Sequence, residues 1–128
     1  MIVVDTSVWI NAFRDQESAE AHHLTDLLDR DEVAIAIPIR FEILSGARRS
    51  EQQRLSRILS ALPTLYPTAT TWRCIEDWLG KIKSSGDWFG FSDLLIAGIG
   101  VENHSKIWSL DNDFYRMAKL KLIDVHRP

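Results

Sequence analysis

The run "EVAIAI", from Glu32 to Ile37, constrains the fold more than any other stretch. A strand with one wet face alternates apolar and polar residues, whereas Val33 to Ile37 is apolar without a break. Both faces must then be covered, as in a central strand of a parallel sheet. Parallel neighbours need crossover connections, and the rest of the chain supplies them. "MIVVD" reads as a first strand, and "SVWINAFRD" follows with helical spacing of Val8, Ile10, Ala12 and Phe13. Ser18 to Asp29 places Ala21, Leu24, Leu27 and Leu28 on one helical face. Pro38 can start the next helix in its first turn, and Leu55, Ile58, Leu59 and Leu62 mark another that Pro63 ends.

The second half continues the alternation. "TLYPT" is a short strand, and Trp72, Ile75, Leu79 and Ile82 predict a helix before the loop "SSGDWFG". "FSDLLIAGIG" is the next helix. "KIWSLD" is a strand, "NDFYRMAKL" a helix and "KLIDVH" a final strand. With no repeat, low-complexity tract or linker in its 128 residues, the chain is expected to be one α/β domain over residues 1–128. Its longest apolar run falls well short of the ~18 residues that span a bilayer, and no secretory leader pattern opens it, so a cytoplasmic location is expected. A single cysteine, Cys74, excludes a disulfide framework and a multi-cysteine zinc site, and is read as a small buried thiol. His22, His23, His104 and His126 are expected on the surface.

In open parallel sheets ligands bind outside the carboxyl ends of the strands. Asp5 ends the first strand, Asp111 follows "WSL", Asp93 heads a helix, and Glu42 lies in the early turns of the helix after "EVAIAI". Each aspartate alone also suits a helix N-cap, although Ser7, Ser92 and Asn112 stand close by as other caps. Glu42, between Phe41 and Ile43, is expected to be buried, and an ionised carboxylate there needs a partner such as Arg40 or a cation. Four converging carboxylates either protonate in part or hold a cation. An all-oxygen donor set favours Mg2+ or Mn2+ over zinc, and such an ion supports phosphodiester hydrolysis by an activated water. Asp113 is either a fifth acid of this group or an exposed first-turn residue.

"IVVDTSVWINAF", "RFEILSGA", "FSDLLIAGIG" and "WSLDNDF", in this order and over essentially the whole chain, resemble the PIN-domain ribonucleases, specifically the VapC-type toxins of toxin–antitoxin pairs. The resemblance implies a three-layer α/β/α fold with a mainly parallel sheet of about four to five strands. It implies a metal-dependent endoribonuclease leaving a 5′-phosphate and a 3′-hydroxyl. Asp5, Glu42, Asp93 and Asp111 would be catalytic metal ligands, Asp113 a further one, and Ser7 and Ser109 supporting hydroxyls. Ser109 stands where the family often has threonine and Gly98 where alanine is common; Gly98 is expected to cost the helix up to about 1 kcal/mol. Implied partners are RNA, a cognate antitoxin lying across the first helices, and a second copy of the chain; Trp9 and Phe13 share a face that either packs on the core or forms a groove, and Trp72 and Trp78 are either core residues or dimer contacts. Removing the four core acids from the net charge of -3 leaves +1, so RNA binding is compatible with the composition. Arg40, Arg48 and Arg116 are candidate phosphate contacts, alongside Arg14, Arg49 and Arg54. Trp88 and Phe89 either stack a base or pack under their loop.

Two other readings fit parts of the pattern. One is a PIN-like RNA- or protein-binding scaffold without catalysis; the other is a Mg2+-binding receiver-type signalling domain. The second needs an acidic pair beside the first strand and a phosphoacceptor after a middle one, and "TLYPT" is followed by no acid.

Overall fold

The computed structural model describes residues 1–128. Its elements run β1 (Ile2–Val4), α1 (Thr6–Arg14), α2 (Ala19–Asp29), β2 (Val33–Ala36), α3 (Ile37–Gly46), α4 (Arg49–Ser60), β3 (Thr64–Leu65), α5 (Ala69–Ser85), α6 (Phe91–Glu102), β4 (Lys106–Trp108) and α7 (Asn112–Lys119). The strands form one sheet in the order β3-β2-β1-β4, every pair parallel. β2 is buried along its whole length, as its unbroken apolar run requires. Its last apolar residue, Ile37, already belongs to α3, where Pro38 sits in the first turn and gives up an N–H that has no helical acceptor.

The strand order fixes the layers. β1, β2 and β3 step in one direction and β4 returns to the far side of β1. Right-handed crossovers therefore put α1 to α4 on one face and α5 with α6 on the other. The order reverses between β1 and β4, so the crevice beyond their carboxyl ends is where an open sheet of this kind binds ligands. Register makes that crevice specific: Val4 pairs with Trp108, and the next amide, Asp5 N–H, donates to the Trp108 carbonyl at 2.8 Å. Asp5 and Ser109 thus leave the sheet side by side.

The core beneath is dry. Val3, Val4, Ile35, Ile39, Leu59, Ile96, Ile99, Ile107, Phe114 and Met117 are inaccessible to solvent, and each such side chain contributes about 1.5–3 kcal/mol by leaving water.

Three sequence expectations need correction. "KLIDVH" makes no strand: a turn at Lys121, with φ of 63°, leads into a single parallel bridge between Val125 and Ile107. α4 ends at Ser60, leaving Leu62 outside it, and Ile58 is exposed. On α5 the buried stripe is Thr71, Ile75 and Ile82 with Trp78 half-buried, while Trp72 and Leu79 face solvent. The reason is Gly98 on α6. A Cβ there would lie 2.9 Å from Ile75 Cγ1 and 3.1 Å from Thr71 Cγ2, so α5 packs against bare backbone. Whatever Gly98 costs α6 in helix propensity, it allows the close approach. Thr71 and Thr68 hydroxyls then donate to Glu102, tying the start of α5 to the end of α6.

Candidate metal centre

Asp5 occupies the N-cap position of α1, yet its carboxylate caps nothing. It is buried, and its Oδ2 accepts from Ser7 Oγ at 2.9 Å and Ser109 Oγ at 2.7 Å. Both hydroxyls are held from behind: Leu110 N–H donates to Ser7 Oγ and Asp111 N–H to Ser109 Oγ. A buried carboxylate with one oxygen fixed by two braced donors keeps a single orientation, with Oδ1 left to meet an incoming group.

Asp93, Asp111 and Asp113 each offer an oxygen within 4.8 Å of the others. Asp111 does cap α7, its Oδ1 accepting from Asp113 N–H at 2.9 Å, and retains a second oxygen. Asp93 stands in the first turn of α6, whose cap is Gly90 and not Ser92. Its carboxyl is raised from 3.8 to about 6, first by burial and then by the negative charges of Asp5, Asp111, Asp113 and Glu42. Those causes join the acids of four different elements in one field.

Glu42 departs from the expectation. Ile39 and Ile43 take the buried face of α3, so Phe41 and Glu42 turn outward and both are exposed. Arg40 is no partner for it, since its guanidinium donates to the Ser56 carbonyl, Ser56 Oγ and Ser60 Oγ on α4. Glu42 instead overhangs the crevice: Ser92 Oγ donates to its Oε1 at 3.4 Å, and its carboxyl is raised by partial desolvation and then by Asp5. The side chain keeps contact with water while protein mass surrounds its inner side. Thr6 Oγ1 lies close enough to favour the charged form of Glu42, but it is buried without a well-formed hydrogen bond.

Arg116 is the one cation bonded to this group. It donates to Asp113 Oδ1 and to Asp87 Oδ1, each at 2.6 Å, and its guanidinium lies 4.7 Å over the buried Phe89 ring. The hydrogen bond from Arg116, and then that from Ser85, holds Asp87 below the usual carboxylate range. Arg48 caps α4 through its backbone and is exposed on the flank. Thr6, Ser92 and Asp87 were not legible as site residues. Thr6 and Ser92 adjoin two of the acids in sequence, while Asp87 reaches the site only through Arg116.

The histidines are not all peripheral. His23 Nε2 and His126 Nε2 lie 2.8 Å apart, with stacked rings edge-on to Trp108. Cys74 is half-buried on α5 rather than enclosed, and its thiol is raised by burial, then by Asp77 and Glu102.

The donor set fits a hard divalent cation. It is all oxygen, it is under-neutralised by one arginine, and it includes the unpaired Thr6 hydroxyl at its edge.

Comparison with known proteins agrees with this architecture. The PIN-domain family model matches residues 2–120. Ribonuclease VapC11 of Mycobacterium tuberculosis and a VapC ribonuclease of Mycobacterium bovis are each 31% identical over 125 residues, covering 94% of this chain and 93% of theirs. Among solved structures, VapBC2 from Rickettsia felis aligns with a TM-score of 0.79 at 18% identity, covering 98% of both chains. VapBC-1 from nontypeable Haemophilus influenzae aligns with a TM-score of 0.78 at 20% identity, covering 98% of this chain and 97% of the other. With its acids gathered where β1 and β4 part, the chain belongs to the PIN-domain family and, within it, to the VapC ribonucleases.

Proposed function

We propose that this chain is the endoribonuclease toxin of a toxin–antitoxin pair, hydrolysing RNA phosphodiester bonds with Mg2+ or Mn2+ bound by Asp5, Asp93, Asp111 and Glu42, and with Asp113 in reserve. The carrying observation is the group of Asp93, Asp111 and Asp113, whose oxygens lie within 4.8 Å of one another, together with the braced Asp5 close enough for its charge to act on Asp93. A divalent ion in that group supplies a water of lowered pKa and positive charge against the phosphate. The chain's own residues do the rest. Ser7 and Ser109 hold Asp5 in one rotamer; Asp111 presents the oxygen not used in capping α7. Asp93, when ionised, adds the half-buried charge that makes the group intolerant of remaining empty near neutral pH. Products with a 5′-phosphate and a 3′-hydroxyl are expected.

An antitoxin fits the groove between α1, α3 and α4. Ile10, Phe13, Ile43 and Leu55 supply apolar lining, with Arg14, Arg48 and Arg54 along its rim. An amphipathic helix with acidic flanks complements that surface. Trp9 takes no part, being buried with its indole N–H donated to the Val4 carbonyl. Arg48 remains free to meet RNA phosphate, whereas Arg40 and Arg116 reach it only by giving up their present partners. The exposed, mutually stacked Trp72 and Phe91 are a candidate homodimer contact. No helix is long and apolar enough to cross a membrane, which fits cytoplasmic action on RNA.

The test is cleavage of total cellular RNA by the purified chain with Mg2+ or Mn2+. Discrete cuts that vanish with EDTA and in a folded Asp93→Asn variant support the proposal. Absence of metal-dependent cutting by chain freed of inhibitor would leave a binding scaffold.

A further inference from the structure

The loop between α5 and α6 is pinned on both sides of one exposed aromatic. Gly86 ends α5 in the left-handed conformation, φ 78°, which turns the chain sharply toward the site. Asp87 is then clamped: Oδ1 to Arg116 at 2.6 Å and Oδ2 from Ser85 Oγ at 2.8 Å. Phe89 is buried beneath the same arginine. Between these anchors Trp88 is 78% exposed, the highest value of any large apolar side chain here. Trp72 and Phe91, the other exposed aromatics of α5 and α6, stack on each other at 6.0 Å and 15°, whereas Trp88 has no ring partner. The other hand of Arg116 holds Asp113, so the loop that presents Trp88 starts one guanidinium away from the acid group.

We propose that Trp88 is a stacking platform for an unpaired nucleobase of the RNA substrate, next to the phosphate held at the acid site, and that Asp87, Arg116 and Phe89 are the residues that fix it there. The inference rests on the ribonuclease reading above and narrows it to substrates whose target nucleotide is unstacked, as in a loop or single strand. One ring face suffices for one base, whatever its identity, because every base has a π face. A protein partner would want a contiguous apolar patch. Along the loop Trp88 has instead Gly86, the charged Asp87, the buried Phe89 and Gly90 for neighbours, and the next exposed ring, Phe91, is already stacked on Trp72. Rigid anchoring also lowers the ordering cost of binding, since the ring's backbone is already held on both sides.

Binding can be separated from cleavage by placing Trp88→Ala and Trp88→Phe in the Asp93→Asn background and measuring affinity for a mixed-sequence single-stranded oligoribonucleotide and for an oligomer of the same length made of abasic ribose phosphate. Loss of one stacked base is expected to weaken binding of the first probe about tenfold in Trp88→Ala, with Trp88→Phe close to the parent and no difference on the abasic probe. Equal affinity of parent and Trp88→Ala, or an equal loss on both probes, would overturn the proposal. So would a parent that holds neither probe, or a change of oligomeric state on substitution without a change in RNA affinity. The unsubstituted chain is assayed for cleavage alongside; stacking intact with cleavage absent would defeat the nuclease reading and leave Trp88 as a base platform.

Discussion

The two ends of α6 solve opposite problems. Its first turn carries Asp93 into a group of acids that repel one another, and the cost is visible in a carboxyl raised to about 6. Its later turns carry Gly98 and Gly100, which remove side chains so that Ile75 and Ile107 can close on the backbone. One end is held away from its stability optimum so that it can bind something; the other is packed tightly enough to keep the first in place. A site of this kind needs a rigid support, because a frustrated charge relaxes if its backbone can move.

Substituting Asp93 should separate the two ends most sharply. Asp93→Asn is expected to lower RNA cleavage by about a thousandfold or more, the scale of losing a principal electrostatic group. It should also stabilise the metal-free fold. A folded-state pKa raised above 3.8 gives stability that is present below 3.8 and lost as pH rises through about 6. In EDTA, then, the variant should melt above the parent at neutral pH, and the gap should close as the pH falls below 6. A variant that melts lower at neutral pH would show that Asp93 is stabilised by its neighbours rather than opposed by them.

Ser109→Ala tests the brace and not the charge. Asp5 Oδ2 would keep Ser7 alone, and cleavage should fall about 10- to 100-fold with little change in melting temperature. Threonine at this position should retain activity.

At the packed end, Gly98→Ala puts a methyl 2.9 Å from Ile75 Cγ1. We expect a loss of about 1–3 kcal/mol in urea unfolding, the usual cost of overpacking, with metal-dependent cleavage retained per folded molecule. Helix propensity alone predicts the reverse sign, so a stabilised variant would mean that α5 can step back freely.

The smallest effect belongs to the histidine pair set edge-on to Trp108. His126 is lowered from 6.5 by burial, then by His23 and Lys106, with Glu32 opposing. A lowered histidine leaves stability intact above 6.5 and erodes it as pH falls through that value, because the unfolded chain takes the proton more readily. In the Asp93→Asn background, where the opposite trend of Asp93 is removed, melting temperature should therefore decline on mild acidification, and His126→Gln should flatten the decline.

Much of this was legible because strand ends and helix starts have local causes. The unbroken apolar run of β2, Pro38 in α3 and the acids at the strand ends are read from adjacent residues. What escaped depends on distant neighbours. Glu42 was expected inside because Phe41 and Ile43 are apolar, yet Ile39 and Ile43 claim the buried face and expose Phe41. On α5 Ile75 and Ile82 are buried as expected, but Thr71 and Trp78 take the places expected of Trp72 and Leu79, because Gly98, some twenty positions later, decides which side can approach α6. Val125 makes only one bridge, to Ile107 in β4, a strand distant in sequence from the turn at Lys121 that precedes Val125. The histidine pair spans His23 to His126, a separation no local pattern reports.

The placement of β4 beside β1 sets an order of events during synthesis. Asp5 is synthesised about a hundred residues before Ser109, Asp111 and Asp113 and the strand that aligns them. Contacts of such long sequence separation form late. A nascent chain therefore carries Asp5 without its brace or its neighbouring acids until β4 and the start of α7 have been made.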